Sequence, residues 1–479
     1  MINFFKKFSF VCLLFFVQAC QMNPATGEKE LSLMSEKEED FIGKKEHEKL
    51  ITQFGGVYEK KDLQNYVNSI GNFLVSTSEL PNKKFTFTVL DSSIVNAFAL
   101  PGGYIYLTRG LIALCNNEAQ LAGVIAHEIG HVTARHAAQR YTKTIGTNLV
   151  GSILNVLVKN PALGNLVGQG AGLYLLSYSR SQEIQADKLA VRYMSRAGFQ
   201  EREMASFLKS MEKYSILSKK MKNQDLNNNS DLLSTHPSSS KRISKVISES
   251  ELVHTSRPVI GKEIFLKKID GLRFGESPKQ GIIFGDYFLH NFLKIKFKLP
   301  EDFFFSNTPK YLLGRNEKNS QIVIDVKKID ADTDILKYTK KILGKNFPNN
   351  FNRTFIDGMD SIDTVFKNKK TINRLVVIKD NNRVFRMILI SKENDFLNDD
   401  KSFQKIFSSI RKLKKNEIQK PRKKILKIYT VKPNDTFEKI LSKQKIQKRF
   451  SKRIFMILNG KQTEKLEVGE KIKIISSVY

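Results

Sequence analysis

The pentapeptide HEIGH places two imidazoles, His127 and His131, four residues apart, with the carboxylate of Glu128 between them. On an α-helix, residues four apart lie about 40° apart around the axis and about 6 Å along it, so both rings can bind one metal ion. Glu128, about 100° round, flanks that face, where a carboxylate can take a proton from a metal-activated water. A second pair, Glu183 and Asp187, repeats the spacing of four within SRSQEIQAD, residues 179–187. One of these carboxylates can complete a His2Glu zinc site with one position left open. The other can accept the free ring N–H of a ligating histidine and fix its tautomer. His136 falls about 180° round the helix from His127 and is excluded as a ligand. The chemistry in view is zinc-assisted hydrolysis.

These side chains need a helix to carry them, and the surrounding residues supply one. Asn117 suits the N-cap with Gln120 at the third helical position, and Leu121, Val124, Ile125, Ile129 and Val132 provide the apolar positions. Gly130 inside this helix costs about 1 kcal/mol of propensity, which points to a close approach by a neighbouring element. A charged helix is expected from about Ser35, strands over Phe85–Leu90 and around Tyr104–Leu107, and helices from Asn117 to roughly Phe207. An apolar segment, Ile145–Val158, is too short to span a bilayer and reads as a core or lid helix. An asparagine-rich loop follows at Asn223–Ser230.

After about residue 255 the texture changes. Leu293–Leu299 alternates apolar residues with lysine, a strand with one wet face. Gln321–Val326 reads as another strand, and 375–390 as a hairpin turning at Asp380-Asn381-Asn382. Phe403, Ile406, Phe407, Ile410 and Leu413 recur at the spacing of an amphipathic helix. No catalytic constellation stands out there. The expected architecture is α+β multidomain: 21–250, mainly helical with a small sheet; 260–413, antiparallel sheet with helices; a basic linker, 414–427; and a small unit, 428–477.

The 479 residues are 41% hydrophobic, enough for packed cores, and carry a formal charge of +31. Such a surface suits anionic headgroups or cell-wall polymer. No Lys/Arg block is interleaved with aromatics, so nucleic acid is not an expected partner. No GxSxG, CxxC or Walker pattern occurs, and Gly168–Gly172 lacks the strand and spacing of a phosphate loop. His47, His254 and His290 stand alone and read as structural.

The N-terminus addresses the compartment. A short basic start is followed by an apolar run, Phe8–Val17, and then Val17-Gln18-Ala19-Cys20. This is the layout of a bacterial secretory signal over 1–19, ending in a lipobox that would leave Cys20 lipidated. Only Cys20 and Cys115 would remain after cleavage, so no disulfide framework is available, and Cys115 reads as a core residue.

Residues from about 23 to 250 resemble the HtpX/BepA-type zinc metalloendopeptidases, the minigluzincins. Four blocks carry the likeness in order: NAFALPGGYIY (96–106), HEIGH, SRSQEIQAD (179–187) and STHPSSSKRI (234–243). The resemblance implies one Zn2+ on His127, His131 and Glu183, with Glu128 as general base and Asp187 supporting a ligand. It implies that the block at Asn96 is an edge strand pairing with extended substrate, and that Arg242 lies near substrate or oxyanion. For His236 it leaves three roles open: occupying the open zinc position as a gate, stabilising the oxyanion, or capping a turn before Pro237. The exported lipoprotein branch fits, implying a periplasmic enzyme anchored to the outer membrane. Its partners would be misfolded or misassembled envelope proteins. A gated chaperone or binding factor, and a cell-wall hydrolase, are the rival functions. The unit 428–477 resembles a LysM βααβ module, which implies peptidoglycan as a partner. The middle domain resembles the Mog1/PsbP-like fold.

Overall fold

The computed structural model describes residues 20–23, 25–31, 34–140, 177–221, 236, 240–253, 255–368, 370–414, 417, 423–444 and 448–478. The leader 1–19, Ile145–Val158, Gly168–Gly172, Asn223–Ser230, His254, linker residues 415–416 and 418–422, and the neighbours of His236 in its block lie outside the described residues. Among the described residues no helix is long and apolar enough to cross a membrane.

The chain divides into two compact units, one built from residues 1–52, 56–274 and 424–476, the other chiefly from 275–423. In the first, strands β1 (Cys20–Met22) and β2 (Lys29–Leu31) pair antiparallel. Helices α1 (Glu36–Gln53) and α2 (Lys61–Ser76) precede a small sheet of β3 (Thr86–Leu90), β4 (Ala97–Leu100) and β5 (Tyr104–Thr108). Its order is β3-β5-β4, with β5 parallel to β3 and antiparallel to β4, which leaves β4 at an edge. A short helix, α3 (Arg109–Leu114), leads into α4 (Glu118–Thr133), which carries HEIGH. Then come α5 (Arg180–Arg196), α6 (Arg202–Met221), α7 (Ser240–Glu251) and α8 (Lys262–Ile269).

The second unit is an antiparallel α+β fold. Its strands are β6 (Ile282–Phe284), β7 (Tyr287–His290), β8 (Ile295–Lys298), β9 (Phe304–Asn307), β10 (Tyr311–Arg315), β11 (Gln321–Lys328), β12 (Asn352–Ile356), β13 (Met359–Asn368), β14 (Thr371–Asp380), β15 (Arg383–Ser391) and β16 (Arg411–Lys412). A seven-stranded sheet runs β12-β13-β14-β15-β11-β10-β9 and a four-stranded one β16-β8-β7-β6. Helix α9 is Ile335–Leu343 and α10 is Phe396–Ser409. In β8, Ile295 and Phe297 are buried while their lysine neighbours face out, as the alternation requires. The β14–β15 hairpin turns at Asn381, whose φ of 54° an asparagine tolerates. Helix α10 ends at Ser409, earlier than its apolar spacing suggests. Ile410 is extended, and Ile410 and Leu413 are buried from the segment carrying β16.

The chain returns to the first unit as β17 (Lys423–Thr430), α11 (Phe437–Ser442), α12 (Lys448–Leu458) and β18 (Lys471–Val478), the two strands pairing with each other. Leu426, Phe450, Ile454, Ile457, Leu458 and Ile475 belong to the same buried cluster as Leu111, Leu121 and Ile125 of α3 and α4. Lys473 of β18 is 1% exposed, and its ammonium donates to the carbonyls of Ala113 (2.9 Å) and Cys115 (2.6 Å), just ahead of α4.

Burial pushes the Lys473 ammonium down to about 7; Cys115, also buried, opposes the shift, and Lys262 adds to it. An exposed lysine titrates near 10.4, so between pH 7 and 10 the unfolded chain binds more protons than the folded one. Stability therefore rises with pH across that window. Thermal unfolding from pH 6 to 10 should show this slope in the wild type and a flatter one in Lys473→Met.

Candidate metal centre

Helix α4 is capped as its sequence suggests: the Asn117 side chain accepts from the Gln120 N–H at 2.8 Å. The Gln120 side chain accepts from the Asn116 N–H rather than that of Asn117. Gly130 has the anticipated reason. A Cβ there would come within 3.1 Å of the Ala186 carbonyl oxygen and 3.3 Å of its Cα, so α5 crosses closely enough that a side chain would crowd it. That contact sets the carboxylates of α5 against the histidines of α4. Helix α5 starts on a full capping box between Ser179 and Gln182, which fixes Glu183 in its first turn.

Four side-chain atoms converge between these helices. His127 Nε2 lies 3.0 Å from His131 Nε2 and 3.3 Å from His236 Nδ1. Glu183 Oε1 lies 3.4 Å from His131 Nε2 and 3.0 Å from His236 Nδ1. Among the described residues this is the one group that offers such a set, and all four residues are buried. Ligands about 2.05 Å from a tetrahedral zinc sit roughly 3.3 Å from each other, so these spacings fit that ion.

Behind the ligands, His127 Nδ1 lies 2.9 Å from Asp187 Oδ1, the outer contact that orients a ligating imidazole. Arg242 is buried and holds both α5 carboxylates. Its Nε and Nη2 donate to Asp187 at 2.7 and 2.6 Å, and its Nη1 lies 2.6 Å from Glu183 Oε2. Glu128 is 2% exposed, with Oε1 3.6 Å from His236 Nε2 and no hydrogen-bond partner for Oε2 among the described residues. Asn96 is buried just ahead of β4, its backbone N–H and C=O both taken by Thr108.

Residues 61–250 match the model of Peptidase family M48. This stretch is similar to the zinc metallopeptidases of family M48. The beta-barrel assembly-enhancing protease of Yersinia pestis is 32% identical over 191 residues, 38% of this chain and 38% of that protein. Its Escherichia coli (strain K12) counterpart is 34% identical over 160 residues, 31% and 32% of the two chains. The mitochondrial metalloendopeptidase OMA1 of Arabidopsis thaliana is 31% identical over 231 residues, 47% and 43%. The chain thus spans between about a third and a half of the length of these curated relatives. Among solved structures, a cyanobacterial PsbP from Synechocystis covers 28% of this chain and 98% of its own, with 11% identity and a TM-score of 0.23.

The charges around the cluster set its carboxylates apart. Burial alone would raise Glu183, but the neighbouring His236 and Arg242 outweigh it and hold the carboxyl well below its usual range. Asp187 is likewise lowered, burial being overcome by Arg242 and His127. Glu128 goes the other way. Burial dominates over the attraction of His236 and His127 and raises it, which suits a group that must take up and release a proton. An apolar pocket lined by Val124, Met204, Phe207, Leu208 and Met211 adjoins His127 and Glu128.

Two neighbours of the site escape sequence reasoning. Tyr178, buried, stacks on the His131 ring with centroids 3.7 Å apart, and the Arg140 guanidinium lies over the Tyr178 ring, 4.0 Å from its centroid. Its only sequence signal is its place immediately before the α5 cap. His136 is outside the four-residue group, but the helix on which the sequence reading placed it stops at Thr133, and its Nδ1 lies 2.7 Å from His131 Nδ1. Burial depresses it to about 4, which keeps the ring neutral. Elsewhere, His47 Nδ1 pairs with the Tyr106 hydroxyl at 2.7 Å, and His290 Nδ1 accepts from the Leu293 N–H at 3.3 Å.

Proposed function

We propose that this chain is a zinc-dependent endopeptidase of the bacterial cell envelope that degrades misfolded or misassembled envelope proteins. The observation that carries the reading is the convergence of His127, His131 and Glu183 with Glu128 buried beside them. Bound zinc would supply Lewis-acid polarisation of the scissile carbonyl and acidify a water. Glu128 takes the water's proton and passes it to the leaving amine. The edge strand β4 offers main-chain hydrogen bonds to an extended substrate, and the apolar pocket receives a substrate side chain. The names of the enterobacterial relatives support an envelope role. In this proposal Cys20 carries the lipid that anchors the enzyme at the outer membrane, and residues 428–477 contact peptidoglycan.

His236 gates the site in this reading. Its Nδ1 stands at ligand spacing from His127 and Glu183, where it would close the fourth position that a catalytic zinc keeps open. His236→Ala should raise the rate of casein cleavage by the full chain; a fall in rate would discard the gate in favour of oxyanion stabilisation.

Zinc content and casein degradation, with and without a chelator, test the whole reading. One zinc per chain with chelator-sensitive cleavage supports it. Bound zinc without cleavage at any pH would favour a binding factor, and release of peptidoglycan fragments a cell-wall hydrolase.

A further inference from the structure

We propose that His136 is a positioning residue of the metal centre, holding His131 in the tautomer that presents Nε2 to zinc, with Gln185 holding His136 in turn. The inference rests on the zinc-site reading above and concerns residues outside the ligand set.

The argument is one of proton placement. His131 Nε2 faces the ligand cluster, so its lone pair must be free there and the ring proton sits on Nδ1. That N–H points at His136 Nδ1, 2.7 Å away, which must therefore be the acceptor. A neutral His136 then carries its own proton on Nε2 and donates it to Gln185 Oε1, also at 2.7 Å. One choice at His131 fixes every donor and acceptor out to Gln185, and the chain closes without a clash of protons. His127 has the Asp187 carboxylate for this purpose, whereas His131 is served by a neutral ring.

The backbone is bent to make the contact. On a continuous helix, residue 136 would point away from the metal face. Helix α4 stops at Thr133, and Arg135 takes a φ of 53°, left-handed for a residue that disfavours it. Its guanidinium is pinned by Glu39 Oε1 at 2.8 Å and the Met34 carbonyl at 2.6 Å, contacts that hold the turn. Residues 136–140 resume as helix from the new direction, with His136 fully buried against His131. Strain of this kind persists where surrounding contacts over-determine it.

The test is zinc affinity of the full chain, measured by competition with a chelator, alongside thermal unfolding of the metal-free protein. Asparagine places an oxygen where His136 has Nδ1 and keeps an acceptor for His131; leucine fills the space without one. His136→Leu is expected to weaken zinc binding about 10- to 100-fold, the effect of losing an outer-shell partner, and His136→Asn about threefold or less. Gln185→Leu, at a half-buried position that burdens folding little, should weaken binding in the same direction. Leucine within threefold of wild type, or asparagine losing as much as leucine, would overturn the proposal. A wild-type chain that takes up no zinc would instead overturn the metal-centre reading on which it stands.

Discussion

Glu128→Gln is expected to slow casein cleavage by about 10²- to 10⁴-fold, the span typical of a lost general base, while zinc content stays at the wild-type level. The substitution keeps the shape of a side chain that is 2% exposed and removes only its ability to take a proton. Glu128 is outside the four-residue ligand set, so metal retention is the control that separates chemistry from assembly. Its burial raises the carboxyl toward working pH, which favours both halves of the transfer, uptake from water and delivery to the amine. A variant that keeps more than a tenth of the rate with zinc bound would assign proton transfer to another group.

The second large effect is expected at Arg242. Three of its nitrogens meet Asp187 and Glu183 at 2.6–2.7 Å, all in buried surroundings. Arg242→Met leaves two carboxylates one helical turn apart with no fixed cation. Breaking a buried ion pair by removing one partner costs about 3–5 kcal/mol. Zinc, a cation against the same Glu183, would offset part of that loss, so the metal-free protein should suffer more than the zinc-bound one. Urea unfolding with and without a chelator measures the difference. Arg242→Lys should fall between, since it restores charge without the planar fork that grips Asp187 through two nitrogens. A loss below about 1 kcal/mol in the metal-free Arg242→Met protein would mean that Asp187 and Glu183 are stabilised by other groups.

Much of the centre was legible in one dimension because helical periodicity is a local rule. The spacing of four in His127/His131 and again in Glu183/Asp187 puts each pair on one helix face whatever the rest of the fold does. Capping at Asn117 and Ser179, the wet-and-dry alternation of Ile295–Lys298 and the turn at Asn381 follow from equally local causes. Rules of this kind fail where a helix ends. Nothing in the apolar spacing marks the stop of α10 at Ser409, and extrapolating α4 past Thr133 sends His136 away from the metal.

The residue types and spacings of HEIGH and SRSQEIQAD were enough to point to zinc chemistry and to name the ligand candidates, since each depends on contacts within a turn or two of helix. Which carboxylate faces the imidazoles and which stands behind them was decided by the crossing of α5 over Gly130. Tertiary structure also brought His236, 53 residues from Glu183, to ligand spacing, and placed Lys473 on the carbonyls that precede α4. Such long-range pairings depend on how separate elements pack, and no periodicity along the chain encodes that packing.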